Sequence, residues 1–211
     1  MRHIRRPAHN RREPLHVTVR IRAGLPSLRE QSLFSCVRRQ IRAARQRFLR
    51  IIHFSVQTNH LHLLVEAGDR RHLSAGMKGF GVRLARNLNR LLKARGSVVG
   101  DRYHARALTT PREVRNALVY VLCNHKKHGS GRAVVDRCSS ASLFEGWSDR
   151  SLVPKARGSP DGWPLAPAET WLMKSGWKRW GGLDPDESPR LRGAAGRRVA
   201  AYRASLLVDE R

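Results

Sequence analysis

The stretch Gln57-Thr58-Asn59-His60-Leu61-His62-Leu63-Leu64-Val65-Glu66 decides how this chain folds. Its alternation reads as a β-strand, because successive side chains on a strand point to opposite faces. Leu61, Leu63 and Val65 then enter a core while His60 and His62 emerge together on the other face. Two imidazoles on one face, one residue apart, can grip a single metal ion. The plainer reading is a pair of hydrogen-bonded surface histidines.

Working back from this strand, Phe48 to Val56 reads as a neighbouring strand joined to it by a tight turn near Thr58-Asn59. Earlier still, Leu15-His16-Val17-Thr18-Val19-Arg20-Ile21-Arg22 alternates and is rich in β-branched residues, which makes it the first strand. Gly24 and Pro26 break it. Ser27 is placed to cap a helix through about Gln46, with Phe34, Val37, Ile41 and Ala44 on one side.

Working forward, Leu73, Met77, Phe80, Leu84, Leu88, Leu91 and Leu92 recur at helical spacing. The opposite side of that helix carries Arg83, Arg86, Arg90 and Lys93, and Gly96 is expected to end it. Such a basic stripe is either a nucleic-acid contact or an ordinary solvated face. Arg102 to Thr109 reads as a fourth strand. Pro111 then opens a third helix, where its missing N–H costs nothing; the helix is expected to run to about His128 and stop at Gly129. The order is β-α-β-β-α-β-α. It predicts an α+β chain with a ferredoxin-like core: a four-stranded antiparallel sheet with helices on one face, followed by an irregular C-terminal tail.

The charge is that of a protein that meets a polyanion. The 211 residues carry a formal +26, with a pI near 11.7. It is concentrated: residues 1–138 hold 30 Lys/Arg against 7 Asp/Glu, a net +23, and residues 139–211 hold 12 against 9, a net +3. The binding surface is therefore expected in the first two thirds. Arginine outnumbers lysine, which suits forked contacts to phosphate. A protein that merely coats RNA has the same composition. Cys36, Cys123 and Cys138 show neither paired metal spacing nor an even disulfide count, as expected in a reducing cytoplasm. The opening Met1-Arg2-His3-Ile4-Arg5-Arg6 does not read as a signal peptide, and no apolar run approaches membrane-spanning length.

On a wheel of the third helix, Val114, Leu118, Val121, Leu122 and His125 share one side. Tyr120 lies off that side, with Asn124, Asn116 and Lys127 near it. A structural tyrosine joins the apolar stripe; this one faces polar neighbours. Phosphodiester cleavage needs an in-line nucleophile, a Lewis acid and neutralised backbone charge. A phenol titrating near pH ~10 in water is a weak nucleophile unless it, or its target, is activated. His60 and His62 offer two neutral nitrogens and Asn124 an oxygen. That mixed set with open positions suits Mg²⁺ or Mn²⁺, the histidines favouring Mn²⁺.

Three segments carry a resemblance to a known family. They are Thr58-Asn59-His60-Leu61-His62-Leu63-Leu64-Val65, Gly100-Asp101-Arg102-Tyr103-His104-Ala105-Arg106, and Tyr120-Val121-Leu122-Cys123-Asn124-His125-Lys126-Lys127-His128-Gly129. Over roughly Pro14 to Gly129 the chain resembles the IS200/IS605-type single-tyrosine (Y1, HUH-type) transposases, and among them the REP-associated tyrosine transposases. The resemblance implies that His60 and His62 are metal ligands, with Asn124 at the position of a third. It implies that Tyr120 attacks single-stranded DNA and keeps the 5′ phosphate as a phosphotyrosine. Arg83, Arg86, Arg90, Lys93, Arg102, Arg106, Lys126 and Lys127 are the candidate DNA contacts. The implied partner is single-stranded or hairpin DNA in the cytoplasm, near the nucleoid, with no membrane; some relatives act as homodimers. Two departures stand out: Thr58 replaces a common proline before Asn59-His60, and His125 follows Asn124 where relatives often have proline. The expected layout is a basic arm over 1–13, a transposase-like catalytic domain over 14–138, and a Trp-containing extension over 139–211 with a last helix near Arg197–Leu207. The alternative is a domesticated, non-catalytic DNA- or RNA-binding protein on the same sheet; retention of His60, His62, Tyr120 and Asn124 together argues against it.

Overall fold

The computed structural model describes residues 9–44, 49–127, 134–154 and 165–189. In chain order the elements are β1 (Leu15–Arg20), α1 (Gln31–Ala43), β2 (Arg50–Val56), β3 (His60–Glu66), α2 (Arg70–Leu92), β4 (His104–Ala107), α3 (Pro111–Leu122), α4 (Asn124–Lys127) and α5 (Trp171–Lys174). The strands form one sheet in the order β2-β3-β1-β4, and every neighbouring pair is antiparallel. This is the ferredoxin-like arrangement that the β-α-β-β-α-β order predicts.

Alternation on β3 sets the two faces. Leu61, Leu63 and Val65 are all 0% exposed and pack with Leu33, Val37 and Ile41 of α1 and with Met77, Phe80 and Leu84 of α2. Each such side chain contributes roughly 1.5–3 kcal/mol by leaving water. The even positions look the other way. His60 and His62 emerge at one end, whereas Leu64 joins Ile52 in a second apolar cluster with Val114, Leu118, Val121 and Leu122 of α3. That second apolar half is why α3, which lies outside the β-α-β-β-α-β unit, covers the face opposite α1 and α2.

Residues 134–154 and 165–189 complete the second cluster. Ala141, Phe144, Trp147, Met173, Trp177 and Leu183 are buried against α3. Three anchors tie them down. The Ser140 Oγ accepts from the Phe54 N–H at 3.0 Å. The Arg29 guanidinium donates two bonds, 2.7 and 2.8 Å, to the buried Asp136 carboxylate. The Glu66 carboxylate, at the end of β3, accepts from the backbone N–H groups of Glu169 (2.8 Å) and Thr170 (2.9 Å) and from the Thr170 hydroxyl (2.8 Å). The loops and short helices expected around Trp171, Trp177 and Trp180 are therefore packed structure. The helix expected near Arg197–Leu207, residues 1–8 of the arm, Trp163, and His128-Gly129 lie outside the described residues.

Three helix boundaries differ from the sequence expectation. First, α1 begins at Gln31 and not after Ser27. Leu28 is buried and donates its N–H to the Thr58 carbonyl at 2.9 Å, so the segment Ser27–Glu30 is held as a turn against the β2–β3 connection. Second, α2 ends at Leu92, with Lys93 itself in the left-handed conformation at φ 50°; a polar, exposed residue carries the role assigned to Gly96. Third, α3 stops at Leu122. Cys123 leaves the helix at φ −106° and ψ 15°, and Asn124 starts the separate turn α4. Among the described residues the three cysteines are buried free thiols, and no helix is long and apolar enough to cross a membrane. Burial pushes the Cys123 thiol up to about 12.

Candidate active site

The site lies where β1, β3 and α3 meet, on the sheet face remote from α1 and α2. His60 and His62 project from β3, and their Nε2 atoms are 3.1 Å apart with the rings nearly perpendicular at 84°. The other nitrogen of each ring is engaged. His60 Nδ1 lies 2.9 Å from Asn59 Oδ1, which accepts its proton. His62 Nδ1 lies 3.2 Å from both Thr18 Oγ1 and His16 Nε2. The register explains this: Thr18 on β1 is paired directly with His62, and His16 is two residues along on the same face.

Tyr120 closes the site from above the sheet. Its ring centroid is 5.0 Å from that of His62 and 5.4 Å from that of His16, both edge-to-face. Tyr120 is half-buried, since the apolar stripe of α3 directs its neighbours Val119 and Val121 into the second cluster. Thus the strand pair and the phenol, 58 residues apart in the chain, share one face of one sheet. His16 is pushed down to about 4, first by burial and then by the nearby charges of His104 and Arg106, so it is neutral at pH 7.

Asn124 begins α4, four residues beyond Tyr120, and is 1% exposed. Among the described residues, neither its Oδ1 nor its Nδ2 has a hydrogen-bond partner. A buried amide in that state costs about 1–3 kcal/mol per unsatisfied group, so it marks a position kept for something other than packing.

The donor set fits a divalent ion. Two imidazole nitrogens 3.1 Å apart match adjacent ligands on a metal bound at about 2.1 Å. Hydrogen bonds to the far nitrogens hold each ring in place, as second partners of metal-binding histidines do. Among the described residues no three His, Cys, Asp or Glu side chains are grouped to hold a metal, so a third ligand from those residues would be an amide, hydroxyl or backbone oxygen.

The basic candidates separate. Arg106, on β4, lines a cavity of about 850 Å³ together with Tyr120 and His16, and pairs with Glu113. Lys126 is drawn to Asp186, at 3.3 Å, and to the Pro185 carbonyl. Arg102 is exposed just before β4. The side chain of Lys127 lies outside the described residues. Arg83, Arg86 and Arg90 ride on α2 and Lys93 caps its C-terminal end; the apolar stripe of α2 packs on the opposite sheet face, so these four stand away from Tyr120. Sequence reading left out His16 and Thr18 as site residues, treating His16 as an ordinary sheet residue. The available signal was the period-2 match of His16 and Thr18 to His60 and His62 on paired strands. It also left out Arg112 and Trp180, which line the same cavity; they are 68 residues apart and no local pattern links them.

No family model matches the sequence, and no curated protein matches it. Among solved structures, the fold is similar to that of a REP-associated tyrosine transposase bound to a REP hairpin, with a TM-score of 0.57 and 16% identity over 75% of this chain and 93% of that one. The protein has the fold of a REP-associated tyrosine transposase.

Proposed function

We propose that this protein is a metal-dependent single-stranded DNA endonuclease and strand transferase of the REP-associated Y1 transposase kind, acting on DNA that carries a hairpin. The observation that carries this reading is the convergence of His60 Nε2 and His62 Nε2, 3.1 Å apart, beside a Tyr120 ring 5.0 Å from His62. The fold shared with a hairpin-bound tyrosine transposase supports it.

His60 and His62 would hold a divalent ion, Mg²⁺ or Mn²⁺, with Asn124 as the third protein ligand. A bound ion would supply Lewis-acid polarisation of the scissile phosphate. Tyr120 Oη attacks the phosphorus: the Oη–P bond forms as the P–O3′ bond breaks. The phenol gives its proton to water and the departing O3′ takes one, so the cut strand ends in a 3′-hydroxyl and its partner fragment in a 5′-phosphotyrosine. Attack of a 3′-hydroxyl on that phosphotyrosine reverses the step and joins strands. Thr18 and His16 hold the His62 ring, and Asn59 holds the His60 ring, so the ligands need no reorganisation when the phosphate arrives. Arg106 contributes at the cavity. The α2 arginines act at a distance, through the long-range field of a +26 chain, by raising the local concentration of DNA.

The test is a denaturing gel with end-labelled single-stranded DNA bearing a hairpin, with and without Mn²⁺. The parent forms a metal-dependent covalent adduct. Tyr120→Phe keeps both ring contacts and binds DNA within about twofold of the parent, yet forms none. An undiminished cutting rate in Tyr120→Phe would dismiss the nucleophile. Tight binding with no adduct from the parent would favour the non-catalytic binder.

A further inference from the structure

We propose that Trp180 and Arg112 form a stacking platform for an unpaired nucleobase of the strand whose phosphate meets Tyr120. This rests on the single-stranded DNA reading above and adds to it a base-binding subsite supplied by the C-terminal extension.

The cavity of about 850 Å³ beside Tyr120 extends along α3 to Trp180. Its floor is a stripe of that helix. Arg112, Asn116 and Tyr120 recur every four residues and all line the cavity. At ~1.5 Å per residue the two ends of the stripe are about 12 Å apart, the length of a few nucleotides at ~3.4 Å per stacked step. Strand entering at Tyr120 therefore passes Asn116 and reaches Trp180.

Trp180 is spare to the fold. It ends the 3₁₀ turn Gly176–Trp180, in which Trp177 is 3% exposed and held by a bond from its indole N–H to the Met173 carbonyl at 3.0 Å. Three residues on, Trp180 is 55% exposed. An indole left half in water offers a flat apolar face. The Arg112 guanidinium lies over that ring, 5.5 Å from its centroid.

Among the described residues, charge accounting around the cavity leaves one cation over. Arg106 pairs with Glu113, and Arg115 donates to both carboxylate oxygens of Glu187 at 2.8 and 2.9 Å. Among the described residues Arg112 has no carboxylate partner. A flat aromatic face joined to an uncompensated guanidinium matches a nucleotide, which presents a π-system and an anion at once. Trp171 provides an internal control: it is 50% exposed and has Arg179 over its ring at 4.9 Å, but it does not line the cavity.

The experiment measures binding alone, by fluorescence anisotropy of the full chain in EDTA. The probes are a labelled ten-nucleotide oligothymidylate and a ten-unit abasic deoxyribose-phosphate strand of equal charge. The parent is expected to bind the thymidylate at least about tenfold tighter than the abasic strand. Trp180→Ala removes most of that difference and leaves abasic binding unchanged; Trp180→Phe keeps most of it. Arg112→Ala weakens both probes and lowers the salt slope by about one. Trp171→Ala changes neither. The same thymidylate-to-abasic ratio in Trp180→Ala as in the parent overturns the proposal, as does failure of the parent to bind the thymidylate. Absence of the Tyr120 adduct with the Trp180 effect intact would sink the chemistry and leave the platform standing; the reverse outcome would sink the platform alone.

Discussion

Replacing Asn124 by Leu should make the metal-free protein more stable while weakening its hold on Mn²⁺. The side chain is 1% exposed, and among the described residues both its amide oxygen and its nitrogen lack partners. Each unsatisfied group costs about 1–3 kcal/mol, so the amide burdens the fold by roughly 2–6 kcal/mol. Leucine has nearly the same volume and removes both groups. A shape mismatch takes back up to about 1.5 kcal/mol, leaving a net gain of at least about 0.5 kcal/mol. For a chain of this size that is about 1–2 °C or more in Tm. Calorimetry in EDTA measures it. On the proposed reading, Mn²⁺ at a hundred times its Kd would stabilise the parent by about 2.7 kcal/mol, and the variant should lose most of that shift. A variant that melts lower than the parent in EDTA refutes the reasoning, because the amide must then be doing structural work. Asn124→Ala, which empties the site and leaves a void, separates loss of the amide from loss of volume.

Other perturbations test neighbouring parts of the argument. Thr18→Val keeps the strand and its volume but removes the oxygen 3.2 Å from His62 Nδ1; Mn²⁺ affinity by calorimetric titration should fall about 10–100-fold, and unchanged affinity would exclude Thr18 from the site. Glu66→Gln leaves the Glu169 N–H facing a donor and weakens two more bonds; urea unfolding followed by tryptophan fluorescence should show a loss of about 3 kcal/mol, and a loss under 0.5 would mean the extension is held elsewhere. His53, beside Ser140 Oγ and Phe144, is pushed down to about 4 by burial. Below pH ~6.5 the unfolded chain takes up a proton that the folded chain refuses, so stability falls from pH ~6.5 down to ~4, by at most on the order of 3 kcal/mol. His53→Asn should flatten that slope, which denaturation at stepped pH reads directly.

What was legible in the sequence was local periodicity. Alternation at Leu61, Leu63 and Val65 revealed a strand, and helical spacing from Leu73 to Leu88 revealed α2, because each pattern reports a burial that neighbours a few residues away enforce. The histidine pair was legible for the same reason. What escaped was set by long-range contact. Thr18 faces His62 only because β1 and β3 pair in one register. Ser27 carries a cap signature, yet the bond from Leu28 to Thr58 holds its segment as a turn. The break at Cys123 left no Gly or Pro to read. The extension defied periodicity because tryptophans three apart, Trp177 and Trp180, go to opposite environments.

The alternation on β3 also divides labour between the two faces of the sheet. The odd positions, with no exposed surface, fasten the strand to α1 and α2. The even positions are thereby free to hold polar groups in fixed directions on a strand hydrogen-bonded along both edges. A slip of one residue in register would turn Leu61, Leu63 and Val65 away from the core and bring His62, together with His60 or Glu66, into it, so the same apolar burial that stabilises the fold also enforces the 3.1 Å approach of the two imidazoles. The phenol is held differently. It comes from α3, which reaches the sheet through Leu118 and Leu122 and ends two residues after Tyr120. A rigid histidine pair on a central strand and a phenol near the end of a helix suit the two-step reaction proposed above. In it the pair would stay fixed through both cleavage and rejoining, while the phenol would carry its covalent strand between them.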